Sequence, residues 1–62
     1  MMKVYWAYVL SPLETGGVAI NRTDLYCDSE EEAKQQAEAI ALSETVELWD
    51  GPRRIARFQP SK

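Results

Sequence analysis

The 62-residue chain contains no histidine and a single cysteine, Cys27. Without histidine, no side chain titrates near neutral pH in its ordinary state, and the commonest nitrogen ligand of zinc is missing. One cysteine cannot form an intramolecular disulfide, and a lone thiol suits a reducing compartment. Long apolar runs are also lacking. Val4 to Leu10 is a stretch of seven, short for a secretory core, without a small-residue cleavage site, and far below a membrane span. Its Tyr5, Trp6 and Tyr8 fit a strand better than a leader. No Gly-x-Ser-x-Gly, phosphate loop or paired catalytic carboxylate occurs. These absences point to a cytoplasmic, non-enzymatic protein with no catalytic residue, no metal, no cofactor and no membrane association.

Size sets the next bound. A chain this short is one domain, and it buries only about 60% of the surface it exposes when unfolded. Such domains usually need a staple or a partner, and no covalent or metal staple is available here.

What is present is segregated. Asp28 to Asp50 holds eight carboxylates against one cation, Lys34, while Gly51 to Lys62 holds Arg53, Arg54, Arg57 and Lys62 with no acid. The net charge of −3 argues against general nucleic-acid binding, which requires several phosphate neutralisations at physiological salt.

The periodicity predicts β-β-α-β-β in one α+β domain spanning residues 1–62. Strands are expected over about 3–10, 18–26, 45–49 and 54–58, and a helix over about 30–42. In the second strand Val18, Ile20 and Tyr26 share one parity, and Leu25 and Cys27 the other. Burying both sets would require a bulge near Thr23 or Asp24. Ser29 and Glu32 form a capping box, although Asp28 is an alternative cap. The glutamates of the first turn read as a solvated start matched to the helix dipole, with Glu30 and Lys34 paired outside. Ala33, Ala37, Ile40 and Ala41 mark the buried face. Strand one, with the least charge, should be central; strands two and four suit edges, giving a four-stranded antiparallel sheet in the order 2-1-3-4. Residues 60–62 read as a frayed tail.

The hairpin Val46 to Phe58 concentrates the chemistry. Asp50-Gly51 signals a tight turn, but Pro52 disfavours helical conformations at Gly51. The expected connection is therefore a four-residue loop, 50–53, with Trp49 opposite Arg54 and Leu48 opposite Ile55. Trp49, Arg53, Arg54 and Arg57 then read either as a recognition patch, or as a charge-protected edge with Arg54 stacked over Trp49. Cys27 reads as a buried small hydrophobe, with an activated thiol at the helix start as the alternative.

One helix covers one face of four strands, yet strand one carries large apolar groups on both parities. The uncovered set implies a homodimer or a protein partner, unless the first loop and the tail fold over it. A weak single-stranded nucleic-acid binder, stacking bases on the aromatic and arginine patch, is the second expectation.

Four segments together resemble a group of small uncharacterised single-domain proteins of proteobacteria, common in rhizobial lineages. They are Tyr5-x-Ala7-Tyr8-x-Leu10, the Gly16-Gly17 turn, Leu25-x-Cys27-x-Ser29-x-Glu31-Glu32-Ala33, and Glu47-Leu48-Trp49-Asp50-Gly51-x-Arg53-x-Ile55-Ala56-Arg57. The Glu-Leu-Trp-Asp-Gly-x-Arg run is the most specific of these. The resemblance covers most of the chain and implies the β-β-α-β-β order and a cytosolic bacterial setting. It implies no activity and transfers no catalytic residue. Pro52 and the longer 11–17 loop depart from the group's pattern.

Overall fold

The computed structural model describes residues 2–60; Ser61 and Lys62, the end of the expected tail, lie outside the described residues. Four strands, β1 (Lys3–Pro12), β2 (Val18–Cys27), β3 (Thr45–Asp50) and β4 (Arg53–Phe58), form one antiparallel sheet in the order β2-β1-β3-β4. The helix α1 (Glu30–Ile40) joins β2 to β3 and lies across one face. Order, direction and layering are those expected from the sequence.

β1 and β2 pair without interruption from Lys3↔Cys27 to Pro12↔Val18. The bulge expected near Thr23 is therefore absent. The parity conflict resolves differently: the helix covers only the end of β2 that carries Leu25 and Cys27, and Val18, Ile20 and Tyr26 stay exposed on the opposite face. β3 pairs with β1 only from Trp6 to Leu10, so Ser11 to Ala19 projects as a two-stranded arm and the domain is 42 Å long. At its tip Leu13 N–H donates to Gly17 O at 3.1 Å. Carried back through the register, this bond makes Ser11/Ala19, Val9/Asn21, Ala7/Thr23 and Tyr5/Leu25 the hydrogen-bonded pairs. Pro12 falls on an intervening pair that needs no N–H, which is why β1 runs two residues beyond its expected end at Leu10.

The hairpin departs from expectation twice. Asp50 pairs with Arg53, so the connection is the two-residue Gly51-Pro52 turn and not a four-residue loop. Gly51 has φ +61°, and proline cannot follow it into positive φ. That combination is the primed II′ turn, whose twist matches the flanking strands. Second, Leu48 faces Ala56 while Trp49 faces Arg54, which leaves Ile55 as the extra residue of a bulge. The expected Leu48/Ile55 pairing is replaced accordingly, although Ile55 still packs against the core.

The core consists of Tyr5, Ala7, Leu25, Cys27, Val46 and Leu48 from the sheet against Ala33 and Ala37 of the helix and Ala41 at its C-cap. Ser29 is the N-cap: its hydroxyl oxygen accepts from Glu32 N–H at 3.2 Å. The Glu32 carboxylate accepts from Asp28 N–H at 3.1 Å, one residue earlier than in the standard box. The helix stops at Ile40, short of the expected 42, because Ala41 leaves helical geometry with its N–H still bonded to Ala37 O and Glu38 O. Leu42 is left exposed.

An ion chain ties the helix start to the sheet end. Lys3 Nζ lies 2.6 Å from Asp50 Oδ2, Asp50 3.5 Å from Arg53, Arg53 3.1 Å from Glu30, and Glu30 3.8 Å from Lys34. The hydrogen bond from Lys3 holds the Asp50 carboxyl below its ordinary value of 3.8 and raises the Lys3 ammonium. A lowered carboxyl pKa contributes stability that is fully present above the ordinary value and disappears as pH falls through the native one. The wild-type urea midpoint should therefore fall more between about pH 5 and pH 2 than that of Asp50→Asn. Parallel curves for the two proteins would remove the pair's role.

Candidate interaction face

The face turned away from the helix is built from alternate residues of each strand. β1 contributes Val4, Trp6, Tyr8 and Leu10; β2 contributes Ile20, Arg22, Asp24 and Tyr26; β3 contributes Glu47 and Trp49. Trp6 and Trp49 are cross-strand neighbours, and Tyr8 meets Trp49 edge to face at 6.3 Å and 87°. Tyr8, Leu10, Ile20, Glu47, Trp49 and Gly51 line an open groove of about 370 Å³. The 13–17 loop closes the tip of the arm, and its residues are exposed.

The four residues singled out from the sequence divide between the two faces. Trp49, Arg54 and Arg57 gather on the open face around Glu47. The indole Nε1–H of Trp49 donates to Glu47 Oε1 at 3.2 Å, and Arg54 and Arg57 approach Glu47 Oε2 at 3.7 and 3.5 Å. Arg53 turns the other way, into the ion chain with Glu30 and Asp50, and does not join the patch. Its role is to hold the turn to the helix. Regular alternation would place Arg53 and Arg57 together with Arg54 opposite; the extra residue at Ile55 instead aligns Arg54 with Arg57.

The cation–π contact also falls elsewhere than expected. Arg54 pairs with Glu47, and it is Arg22 that stands over the Trp6 ring at 5.3 Å while its Nε lies 3.4 Å from Asp24 Oδ1. Sequence reasoning missed Arg22 as a member of the face. Strand parity was the available signal, since Arg22 and Asp24 share the parity of Ile20 and Tyr26. Each arginine has a carboxylate within 4.0 Å, so the patch offers little unbalanced positive charge to a polyphosphate.

Cys27 is fully buried, and burial, with Glu32 and Asp28 close by, pushes its thiol up. That is the environment of a packed hydrophobe, not of an activated nucleophile. Among the described residues, no group of three or more carboxylates and thiols is placed to hold a metal ion. No helix among them is long and apolar enough to cross a membrane. Comparison with family models, curated proteins and solved structures finds no match to this chain.

Proposed function

We propose that the chain is a small non-enzymatic protein-contact module. In this reading its open sheet face, with Trp49 and the Arg54/Arg57 hairpin at the rim, is covered by another protein surface, either a second copy or a partner. One observation carries the reading: Trp6, Tyr8, Leu10, Ile20 and Trp49 form a continuous aromatic and aliphatic surface that the single helix, packed on the other side, does not cover. Contiguous apolar surface rimmed by charge is the pattern of a contact site, and Trp, Tyr and Arg dominate such sites energetically. On the open face Arg22 pairs with Asp24 while Arg54 and Arg57 share Glu47, a net charge of only +1 that favours a protein over a nucleic acid as the occupant. A cytoplasmic setting belongs to the same proposal, supported by the lone buried thiol.

The test is a photoreactive benzoylphenylalanine placed at Trp49 and, as a control, at Gln35 on the exposed side of the helix. Cross-links to protein, whether a second copy or another chain, should form from Trp49 and not from Gln35. Equal, background-level capture from both positions would overturn the reading.

A further inference from the structure

The two edges of the sheet are protected very differently. β4 is six residues long, begins straight after Pro52, carries three arginines and is broken by the bulge at Ile55. These are the devices that stop an edge from recruiting another strand. β2 shares only the presence of charge, as one arginine and one aspartate. It is ten residues long, pairs with β1 in unbroken register, and contains no proline and no lysine. The ladder alternation fixes which of its backbone groups are free. Asn21, Thr23 and Leu25 are bonded to β1, so the N–H and C=O groups of Ile20, Arg22, Asp24 and Tyr26 point outward.

We infer that β2 pairs antiparallel with β2 of a second copy, with Thr23 on the two-fold axis, forming an eight-stranded sheet. The sequence around Thr23 is self-complementary in that register. Arg22 faces Asp24 of the partner and Asp24 faces the partner's Arg22, while Ile20 faces the partner's Tyr26 and the reverse. Opposite charges and apolar–aromatic pairs are the stabilising cross-strand combinations. Ile20 and Tyr26 are each 62% exposed in the single chain, so both have surface to bury.

The neighbouring registers are disfavoured. A dyad on Arg22 sets arginine against arginine, and one on Asp24 sets aspartate against aspartate. The outward backbone groups require a shift of whole pairs, so no intermediate register is available. The charges that would otherwise guard the edge therefore select one pairing. Nothing on the helix side obstructs it: Asn21 and Thr23 are exposed, whereas the helix covers Leu25 and Cys27. A two-fold axis perpendicular to the sheet puts both helices on one side and joins the two open faces on the other. This contact uses the strand edge and goes beyond the open-face reading.

Light scattering and sedimentation across micromolar to millimolar concentration, with circular dichroism as the check on folding, test the pairing. Wild type should dimerise. Asp24→Arg should weaken the dimer at least about tenfold, because two opposite-charge pairs become like-charge pairs. The swap Arg22→Asp with Asp24→Arg should restore it, and Gln35→Lys, on the exposed side of the helix, should leave it unchanged. Thr23→Cys gives an orthogonal readout. Residues facing each other at a non-hydrogen-bonded position lie about 4.5 Å apart, within disulfide reach. Mild oxidation should cross-link Thr23→Cys, whereas Asn21→Cys, which carries the same native Cys27, should stay uncross-linked. A monomer at all concentrations, a dimer indifferent to Asp24→Arg, or equal cross-linking from positions 21 and 23 would overturn the edge pairing. A dimer lost on Trp49→Thr and unchanged by Asp24→Arg would overturn it while leaving the open-face reading intact.

Discussion

Leu48→Ala is expected to leave most of the chain unfolded at 25 °C. Leu48 is the largest of the fully buried side chains and sits on β3, a central strand. Its cross-strand neighbours are Ala7 and Ala56, and the helix that packs over β3 presents Ala33 and Ala37. Four small side chains around one large one mean that leucine fills the volume between the layers. Removing it leaves a cavity that alanines cannot extend into, and buried Leu→Ala changes cost about 2–5 kcal/mol. A domain of this length has only about 3–5 kcal/mol available from its core. The loss therefore takes most or all of the folding free energy. Far-UV circular dichroism and urea titration check this, with Leu42→Ala as the control. Leu42 is 67% exposed, so its truncation should stay within about 0.5 kcal/mol. A Leu48→Ala protein with the wild-type midpoint would mean that the core is organised differently.

The layering that makes Leu48 central is legible in the sequence, because it follows from two averages. Charge is lowest on β1, and the alanine positions of α1 repeat at helical spacing. Averages survive a local misreading. What was not legible depended on single residues. The effect of Pro52 on the residue before it argues for a longer loop. The fixed negative φ of proline in fact serves the second position of a two-residue turn once Gly51 supplies the positive φ.

The bulge lies in β4 and not in β2 for a related reason. The mixed parity of β2 calls for a bulge only if both sets are buried, whereas the protein leaves one set exposed. The bulge that does exist, at Ile55, has no parity signature, because Ile55 and Ala56 are both compatible with the core face. Its consequence is the division of the arginines: Arg54 and Arg57 converge on Glu47, and Arg53 goes to the helix side. Composition alone groups the three arginines of the hairpin. Assigning them to faces required the register, and one unpaired residue was enough to change it.

Ala37→Leu is expected to lower the melting temperature by roughly 5–20 °C, through the opposite defect. Ala37 is completely buried at the centre of the helix face, between Ala33 and Ala41. Those three alanines let the helix backbone approach the sheet closely. A leucine there adds three carbon atoms where no space exists, so either the helix lifts or the side chain leaves its preferred rotamer. Overpacking of that kind costs about 1–3 kcal/mol, and for a domain of this size each 1 kcal/mol moves the melting point by about 4–8 °C. Helix propensity cannot account for such a loss, since leucine is nearly as good a helix former as alanine. Ala39→Leu isolates the steric term: Ala39 lies on the exposed side of the same helix, and its variant should melt close to wild type. Equal melting of the two variants would show that the alanine seam has room. The seam also bears on association. A layer of alanines buries little apolar area per residue, so the helix face alone stabilises a 62-residue chain weakly. If a second copy on β2 supplies part of the stability, the melting points of wild type and Ala37→Leu should both rise with protein concentration. The Asp24→Arg protein, with that contact weakened, should show a smaller rise over the same concentrations.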